Sequence, residues 1–446
     1  MTAFSLRRFL TAAALAAPLA LSACGSGDFF GEDSEIPLPG ERIAVLQAGT
    51  GLTADPDIAD VPVVLPRPYV NAFWSQPGGN AAKSLGHVDA GDALAQAWSV
   101  SIGSGGDDET SLLTQPLVVG DTVLVLDSEA HLRALDAATG RERWHRELRP
   151  DEEDDAVYPG GIVADAENVY AATGFGEALS FSIADGSENW RVRLPGPIRG
   201  APAIADGRLF AFTLENRTVA LSTADGARIW EHQGITEIAS LLGGAAPAVQ
   251  GSTVLVPYSS GQLFALRVET GRVVWVENLS SLRALDAISR LADIRGNPVI
   301  DGDLAFAVSH AGRMAAIDMR SGRRVWERAI GSTHMPWVAG EHVFVVSLTG
   351  EVVALTRRDG RVRWVHRLPR YEDMEDEEDP IQYAGPVLVG DRLLLGSTDG
   401  FVYAISPYTG EMLGRIDVGD PIYLAPIVAG GTVYVLDNDA QLRAYR

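Results

Sequence analysis

The sequence is poor in the residue types on which much catalytic and metal chemistry depends. Among its 446 residues there is one cysteine, Cys24, and one lysine, Lys83. A single thiol permits no intramolecular disulfide and no cysteine-based metal site. The usual phosphate loop needs a Gly-Lys pair, and Lys83 instead follows Ala82. The eight histidines are scattered without an H-E-x-x-H motif, so we interpret them as surface or core residues and predict no metal site.

Positive charge is also scarce. The chain has 36 basic and 59 acidic residues, for a net charge of −23. Such a chain repels phosphate backbones, so nucleic acid is excluded as a partner. Three continuous acidic runs occupy residues 107–109, 151–155 and 372–379. Calcium loops need carboxylates at alternating positions around a glycine, so we interpret the runs as solvated loops; a weak cation site and a specific electrostatic contact are the alternatives.

The first 23 residues are typical of a secretory signal peptide. Arg7 and Arg8 precede an apolar run at 9–21 that is too short for a convincing membrane-spanning helix. The following Leu21-Ser22-Ala23-Cys24 resembles the lipobox of bacterial lipoproteins. Cleavage before Cys24 and acylation would leave a lipid-anchored, otherwise water-soluble protein.

The residues after Cys24 predict the membrane in which the protein is anchored and the nature of the segment that follows. Residue 25 is Gly rather than the Asp that retains lipoproteins in the inner membrane, so the lipobox resemblance predicts the outer membrane, facing the periplasm. Residues 24–68 are rich in Gly, Pro and acids and lack strand-length apolar runs. We predict a disordered tether over 24–68.

The rest of the chain repeats one phrase about every 45 residues. At 134–144 the phrase contains a small residue, a large apolar residue, a Thr-Gly turn and, four residues after the glycine, a tryptophan. Short apolar runs such as 122–126 are typical of strands. Four short strands in a unit of this length favour a β-propeller blade. The repeated tryptophans, which we predict to be structural wedges between blades rather than ligand-stacking residues, are Trp98, Trp144, Trp190, Trp230, Trp275, Trp326 and Trp364.

The two ends of the repeat region complement each other. The last unit, 426–446, stops before its tryptophan strand, whereas the segment around Trp98 is a tryptophan strand with no hairpin before it. We therefore predict an all-β, eight-bladed propeller over 69–446, with four-stranded antiparallel blades and a ring closed by an N-terminal strand. The seventh unit has Gly414 in place of tryptophan, so the weakest contact is expected after blade 7.

Two connections between repeats are unusually apolar. The insertion after Trp275 contains Leu282, Leu285 and Leu291 at a spacing that predicts a short helical turn. The loop at 238–244 reads Ile-Ala-Ser-Leu-Leu-Gly-Gly. Such loops on a rigid scaffold commonly carry binding sites. The alternative is that their leucines pack into the propeller rim.

The repeated phrase resembles that of quinoprotein-type eight-bladed propellers over roughly residues 95–446. One branch, the pyrroloquinoline-quinone alcohol dehydrogenases, has a vicinal cysteine pair that a chain with one cysteine lacks. The other branch is BamB, a non-enzymatic lipoprotein family of the outer-membrane β-barrel assembly machinery. The lipobox, the eight repeats and the segment Trp74-Ser-Gln-Pro-Gly-Gly-Asn80 resemble its alphaproteobacterial form.

The BamB resemblance implies no cofactor and a set of protein partners. In that family the two apolar loops contact the periplasmic domains of the barrel-inserting protein, BamA. Carried over residue by residue, the contact would use Leu241, Leu242, Arg290, Leu291 and Asp293. The resemblance thus implies a scaffold that binds BamA and other assembly-machinery subunits and helps deliver unfolded outer-membrane proteins.

Other functions remain open from the residues alone. The ring edges could bind substrate strands by β-augmentation. A divergent quinoprotein dehydrogenase is the enzymatic alternative, and an envelope glycan-binding or sensory propeller is a third reading.

Overall fold

A computed structural model describes residues 51–446, except positions 59, 92, 108–109, 151–157, 199, 238–242 and 281–291. Contacts divide the chain into two units, 1–46 and 47–446, and the described residues lie in the second. Cys24 and the predicted signal peptide fall outside them. In the described part of the chain no helix is both long enough and apolar enough to cross a membrane.

The described residues form eight four-stranded antiparallel sheets, which are the blades of a propeller. The first described strand, β1 (Gln96–Ser101), follows a 3-10 turn at Pro56–Ile58 and belongs to blade 8. Blade 1 contains β2 (Leu117–Val119), β3 (Thr122–Leu126), β4 (His131–Asp136) and β5 (Glu142–Glu147). Blade 2 contains β6 (Gly161–Ala164), β7 (Asn168–Ala172), β8 (Glu177–Ser182) and β9 (Glu188–Arg193). Blade 3 contains β10 (Ala203–Ala205), β11 (Arg208–Phe212), β12 (Arg217–Ser222) and β13 (Arg228–Gln233). Blade 4 contains β14 (Ala248–Gln250), β15 (Thr253–Pro257), β16 (Gln262–Arg267) and β17 (Val273–Asn278).

The second half of the ring repeats this order. Blade 5 contains β18 (Val299–Asp301), β19 (Leu304–Val308), β20 (Met314–Asp318) and β21 (Arg324–Arg328). Blade 6 contains β22 (Trp337–Ala339), β23 (His342–Val346), β24 (Glu351–Thr356) and β25 (Val362–Arg367). A two-stranded hairpin, β26 (Tyr371–Asp373) and β27 (Glu378–Pro380), precedes blade 7. Blade 7 contains β28 (Tyr383–Val389), β29 (Arg392–Ser397), β30 (Phe401–Ile405) and β31 (Met412–Asp417). Blade 8 contains β32 (Ile427–Ala429), β33 (Thr432–Leu436) and β34 (Gln441–Tyr445), completed by β1.

The core lies between the blades. The first strands of neighbouring blades contact one another around the axis, and the second strands are buried at every residue, as in β3 and β23, or at all but the first, as in β7. Both faces of these strands are covered, which explains their continuous apolar runs. The outermost strands are mostly exposed and bury chiefly the tryptophan, as in β5 and β17.

The predicted ring closure is confirmed. Strand β1 pairs antiparallel with β34, and Trp98 lies opposite Ala444. The first strand of the chain thus supplies the outer strand of the last blade, so the ring has no open radial seam.

Each repeated tryptophan reaches into the next blade. The Trp144 indole donates a hydrogen bond of 2.8 Å to the carbonyl of Ile183, and its ring lies against Gly186. A Cβ at Gly186 would come within 2.7 Å of that ring. The repeated glycine therefore serves two purposes: its φ of +70° closes the turn, and its missing side chain admits the indole. The same pairing joins Trp98 to Gly140, Trp190 to Gly226, Trp230 to Gly271, Trp275 to Gly322, Trp326 to Gly360 and Trp364 to Gly410.

Gly414 marks the one position where this pairing has no partner. The tryptophan of each blade packs on the turn between the third and fourth strands of the next blade. In blade 8 those strands are β34 and β1, which come from opposite ends of the chain and share no turn. A Cβ at Gly414 would meet nothing within 4 Å. The tryptophan is thus absent where the surface that would receive it is absent.

The structure shortens the predicted tether. Residues 51–68 were expected to belong to a disordered segment, yet they lie along blade 6. The Asp55 amide donates a 2.8 Å hydrogen bond to the Val362 carbonyl, and the Asp55 carboxylate pairs with Arg361 at 2.7 Å. Pro66 packs at Gly340. This cover explains why β25 begins with buried residues, unlike the other outer strands.

One acidic run is a hairpin rather than a loop. Residues 372–379 span the turn between β26 and β27 and are exposed throughout. The run at 151–155 and most of the run at 107–109 lie outside the described residues.

Candidate functional site

The two apolar loops predicted to bind a partner leave the ring on the same side. Successive strands of a blade run in opposite directions, so every connection from one blade to the next lies on one face, which we call the entry face. The connections that contain residues 238–244 and 279–298 both begin and end on it. Leu241, Leu242, Arg290 and Leu291 lie outside the described residues, as does the helical turn predicted around Leu285.

The described ends of these loops meet. Gly243 lies near the end of the first loop and Arg295 near the end of the second, and a Cβ at Gly243 would lie 3.7 Å from the Arg295 guanidinium. Asp293, the one predicted contact residue within the described part, is 1% exposed. Its carbonyl accepts a 2.9 Å hydrogen bond from the His310 amide. The structure therefore brings the two loop bases together and places Asp293 inside the fold.

The segment Trp74–Asn80, whose sequence resembles the BamB family, belongs to a longer stretch that occupies the axis of the ring. Residues 71–88, the hub segment, run around the inside of the propeller and bond to all eight blades. No periodic pattern in 71–88 predicted this path, because most of these contacts use backbone carbonyl oxygens of the segment, which every residue has. The bonds, in chain order, are Gly430 N to Asn71 O in blade 8, Trp74 N to Val118 O in blade 1, Ala164 N to Ser75 O in blade 2, Gln76 Nε2 to Ile204 O in blade 3, Val249 N to Ala81 O in blade 4, Ile300 N to Ala82 O in blade 5, Trp337 Nε1 to Gly86 O in blade 6 and Gly390 N to Val88 O in blade 7.

The hub segment forms hydrogen bonds with backbone groups of the blades that would face water in an empty channel. Both amide atoms of Gln76 bond to the backbone of Ile204, at 2.9 and 3.1 Å. The Trp74 ring stacks on Trp337 with centroids 6.3 Å apart. Lys83 is 2% exposed, and its Nζ has no hydrogen-bond partner. Burial lowers the pKa of Lys83 to about 7.

Above the hub segment lies a cavity that opens toward the entry face, the axial cavity. It has a volume of about 140 Å³ and a floor of Trp74, Pro77 and Gly78. Its wall combines residues from seven blade entries, among them Leu113, Ala201, Gly243, Arg295, His334, Pro386 and Tyr423.

Arg295 is the only charged residue among the described residues that line the axial cavity. Among the described residues it has no hydrogen bond and no ion pair. Burial lowers its pKa from the usual arginine value. Burial and the Arg295 charge together lower the pKa of His334 to about 3, so this histidine is neutral at physiological pH. The cavity is thus a singly cationic site in a strongly acidic protein.

The described residues hold no group of three or more His, Cys, Asp or Glu side chains that could bind a metal ion. A calcium–quinone centre of the dehydrogenase type does not fit the described part of the chain, because the hub segment occupies the axis and no described residue lining the axial cavity has a carboxylate.

Comparisons with known proteins agree with this architecture. The family model described as outer membrane protein assembly factor BamB matches residues 49–158, 154–366 and 373–446. The protein of that name from Yersinia pestis is 28% identical over 356 residues, covering 78% of this chain and 88% of its own length.

Solved structures extend the likeness of fold. BamB from Moraxella catarrhalis superposes with a TM-score of 0.68 at 21% identity, covering 79% of this chain and all of the other. A quinohemoprotein alcohol dehydrogenase from Comamonas testosteroni superposes with a TM-score of 0.65 at 14% identity, covering 84% of this chain and 80% of the other. At these identities both structures bear on the fold alone.

Proposed function

The chain belongs to the BamB family of outer membrane protein assembly factors, and from that premise we propose that it acts as a non-enzymatic scaffold in the assembly of outer-membrane β-barrel proteins. The observation that carries this proposal is the proximity of the described ends of the two apolar loops. These ends, at Gly243 and Arg295, lie close together on the entry face of the ring. A scaffold needs such a fixed surface, because a rigid surface loses little conformational entropy when its partner binds.

The partner we propose is the periplasmic part of BamA, docked on the entry face. Leu241, Leu242, Arg290 and Leu291 would supply the contact. Asp293 would act differently, because a side chain that is 1% exposed positions the loop instead of touching the partner.

Exposed apolar residues on the same face support this choice. Four of them are 44–56% exposed and lie on turns or connections of the entry face. Scattered apolar residues are normal on a surface, but several on one face are typical of an interface. These residues are Leu214, Ile235, Leu348 and Tyr423.

The dehydrogenase alternative is less well supported. The fold is shared with quinohemoprotein alcohol dehydrogenase, but in this chain residues 71–88 occupy the axis and bond to every blade. Incubation with the quinone and calcium, followed by absorbance and dye reduction, tests it: bound quinone with turnover would contradict the scaffold role.

For localisation we propose acylation at Cys24 and retention at the outer membrane, with the propeller in the periplasm. The support is the lipobox sequence at residues 21–24. A Cys24→Ser variant should leave the membrane fraction and appear in the soluble periplasmic fraction.

Affinity purification from membranes tests the scaffold directly. BamA should co-purify with the unaltered protein and be largely lost with a Leu241→Asp, Leu242→Asp double variant. A matched control is Leu413→Asp, since Leu413 is 56% exposed on the outer strand of blade 7, away from the entry face. Absence of BamA from the unaltered sample, or its equal recovery with both variants, would count against the proposed contact.

A further inference from the structure

The axial cavity contains a positive charge that partner docking by the apolar loops does not explain. Arg295 carries a positive charge that no described residue neutralises. A partly buried charge without a counter-ion is costly, and buried charges in proteins are normally paired. The protein has 59 acidic residues, yet none of the described residues that line this cavity is acidic.

Other groups lining the cavity also lack acceptors. The Trp74 indole forms part of the floor, is fully buried, and its Nε1–H has no hydrogen-bond partner. The Asn297 Oδ1 accepts a 2.7 Å hydrogen bond from the Ala246 amide, which leaves its Nδ2 as a donor with no described acceptor. Three residues that line one small cavity, Arg295, Trp74 and Asn297, thus carry donors of different types without a described acceptor.

The remaining lining restricts the shape of a ligand. Leu112, Leu113, Met335, Trp337 and Leu424 make much of the wall apolar. A volume of about 140 Å³ is close to that of a cavity that holds one benzene molecule. The ring surrounds the cavity, so a ligand enters along the axis from the entry face.

We propose that the axial cavity binds a carboxylate carried on a single apolar group, with the carboxylate on Arg295 and the apolar group against the wall above Trp74. Such a ligand is either a small apolar acid or the C-terminal residue of a polypeptide. Both present the same chemistry, and both can enter a pocket that opens at one end. The proposal goes beyond the scaffold role and does not depend on BamA binding.

The test uses the full-length protein in detergent and isothermal titration with 3-phenylpropanoate and its amide. We expect saturable 1:1 binding of the acid and binding of the amide that is weaker by at least about tenfold, since hydrogen bonds to charged groups are the stronger ones. Equal binding of acid and amide, or no binding of the acid at millimolar concentration, overturns the proposal without any substitution in the protein.

A variant pair locates the site. Arg295→Met keeps side-chain length and apolar bulk and should weaken acid binding by at least about tenfold. Arg358→Met is the matched control, because Arg358 is 68% exposed on the opposite face, and should bind like the unaltered protein. Full affinity in Arg295→Met places the acid elsewhere and refutes the assignment.

A peptide titration distinguishes the two possible ligands, a small apolar acid and the C-terminus of a polypeptide. A tripeptide ending in phenylalanine with a free C-terminus is compared with its C-terminally amidated form. Tighter binding of the free-ended peptide than of 3-phenylpropanoate identifies a chain end as the ligand, whereas binding of the small acid alone identifies a free metabolite. BamA capture is measured separately, so failure of acid binding and failure of the scaffold role are distinguishable.

Discussion

Replacing Lys83 with methionine should stabilise the protein at neutral pH, although it removes the only lysine of the chain. The Lys83 amine lies in the hub segment, 2% exposed and without a hydrogen-bond partner. Burial lowers its pKa from 10.5 to about 7. At 1.36 kcal/mol per pKa unit, this shift costs the folded state about 4 kcal/mol at pH 7, since the amine is fully protonated only after unfolding. Methionine fills similar space and has no charge to lose.

The sign of the pH dependence is distinctive. Between pH 7 and pH 10.5 the unfolded chain binds a proton that the folded chain does not, so the stability of the unaltered protein rises with pH across this window. Lys83→Met lacks this contribution. The advantage of the variant should therefore be largest at pH 7 and below, and about 4 kcal/mol smaller at pH 10.5.

Two measurements check this reasoning. Urea unfolding of both proteins at pH 7 and pH 10 gives the stability difference, with Arg358→Met as a control for loss of an exposed cation. Because Lys83 is the only lysine, isotope labelling of lysine produces one side-chain NMR signal whose titration gives the pKa directly. A lysine signal that titrates near pH 10 in the folded protein, or a stability difference between variant and unaltered protein that is no larger at pH 7 than at pH 10, would refute the argument.

Three further predictions concern how the ring is held together. Gly186→Ala should cost roughly 2–4 kcal/mol in urea unfolding, because it combines a positive φ with a clash against Trp144, whereas Gly251→Ala, with a positive φ but open space, should cost about 1 kcal/mol; equal losses would contradict the wedge geometry. Gln76→Ala should cost about 1–3 kcal/mol by leaving buried backbone groups in blade 3 unpaired, and a neutral result would show that water replaces the amide. Amide exchange should be fastest at the contact next to Gly414, and uniform protection around the ring would disprove this expectation.

The ring was predictable from the sequence because the tryptophan and the glycine that recur in the repeats contact each other between neighbouring blades. Trp144 and Gly186 belong to different repeats, but the regular spacing places every such pair in register once blades are assumed. Closure followed from the unpaired strand around Trp98 and the incomplete last unit. Local strand and turn signals sufficed here because each blade is built from neighbours in the chain.

The hub segment and the axial cavity could not be read in the same way. Asn71 and Val88 lie 17 residues apart yet bond to blades 8 and 7 at the far end of the chain. Arg295 and Trp74 share a cavity although no pattern in the sequence links them. The predicted tether ends at residue 68, although residues from 51 onward contact blade 6. Local sequence could not predict this contact, because Asp55 and Arg361 lie 306 residues apart in the chain.

The central claim, a rigid ring that presents its entry face to BamA, is tested most directly by photocrosslinking in living cells. A photoreactive amino acid at Ile235 or Leu348, both exposed on the entry face, should join the protein to BamA. The same residue at Val64, 68% exposed on the segment along blade 6, or at Leu413 on the outer strand of blade 7 should not. Crosslinks to BamA from Val64 or Leu413 but not from the entry-face positions would contradict the account.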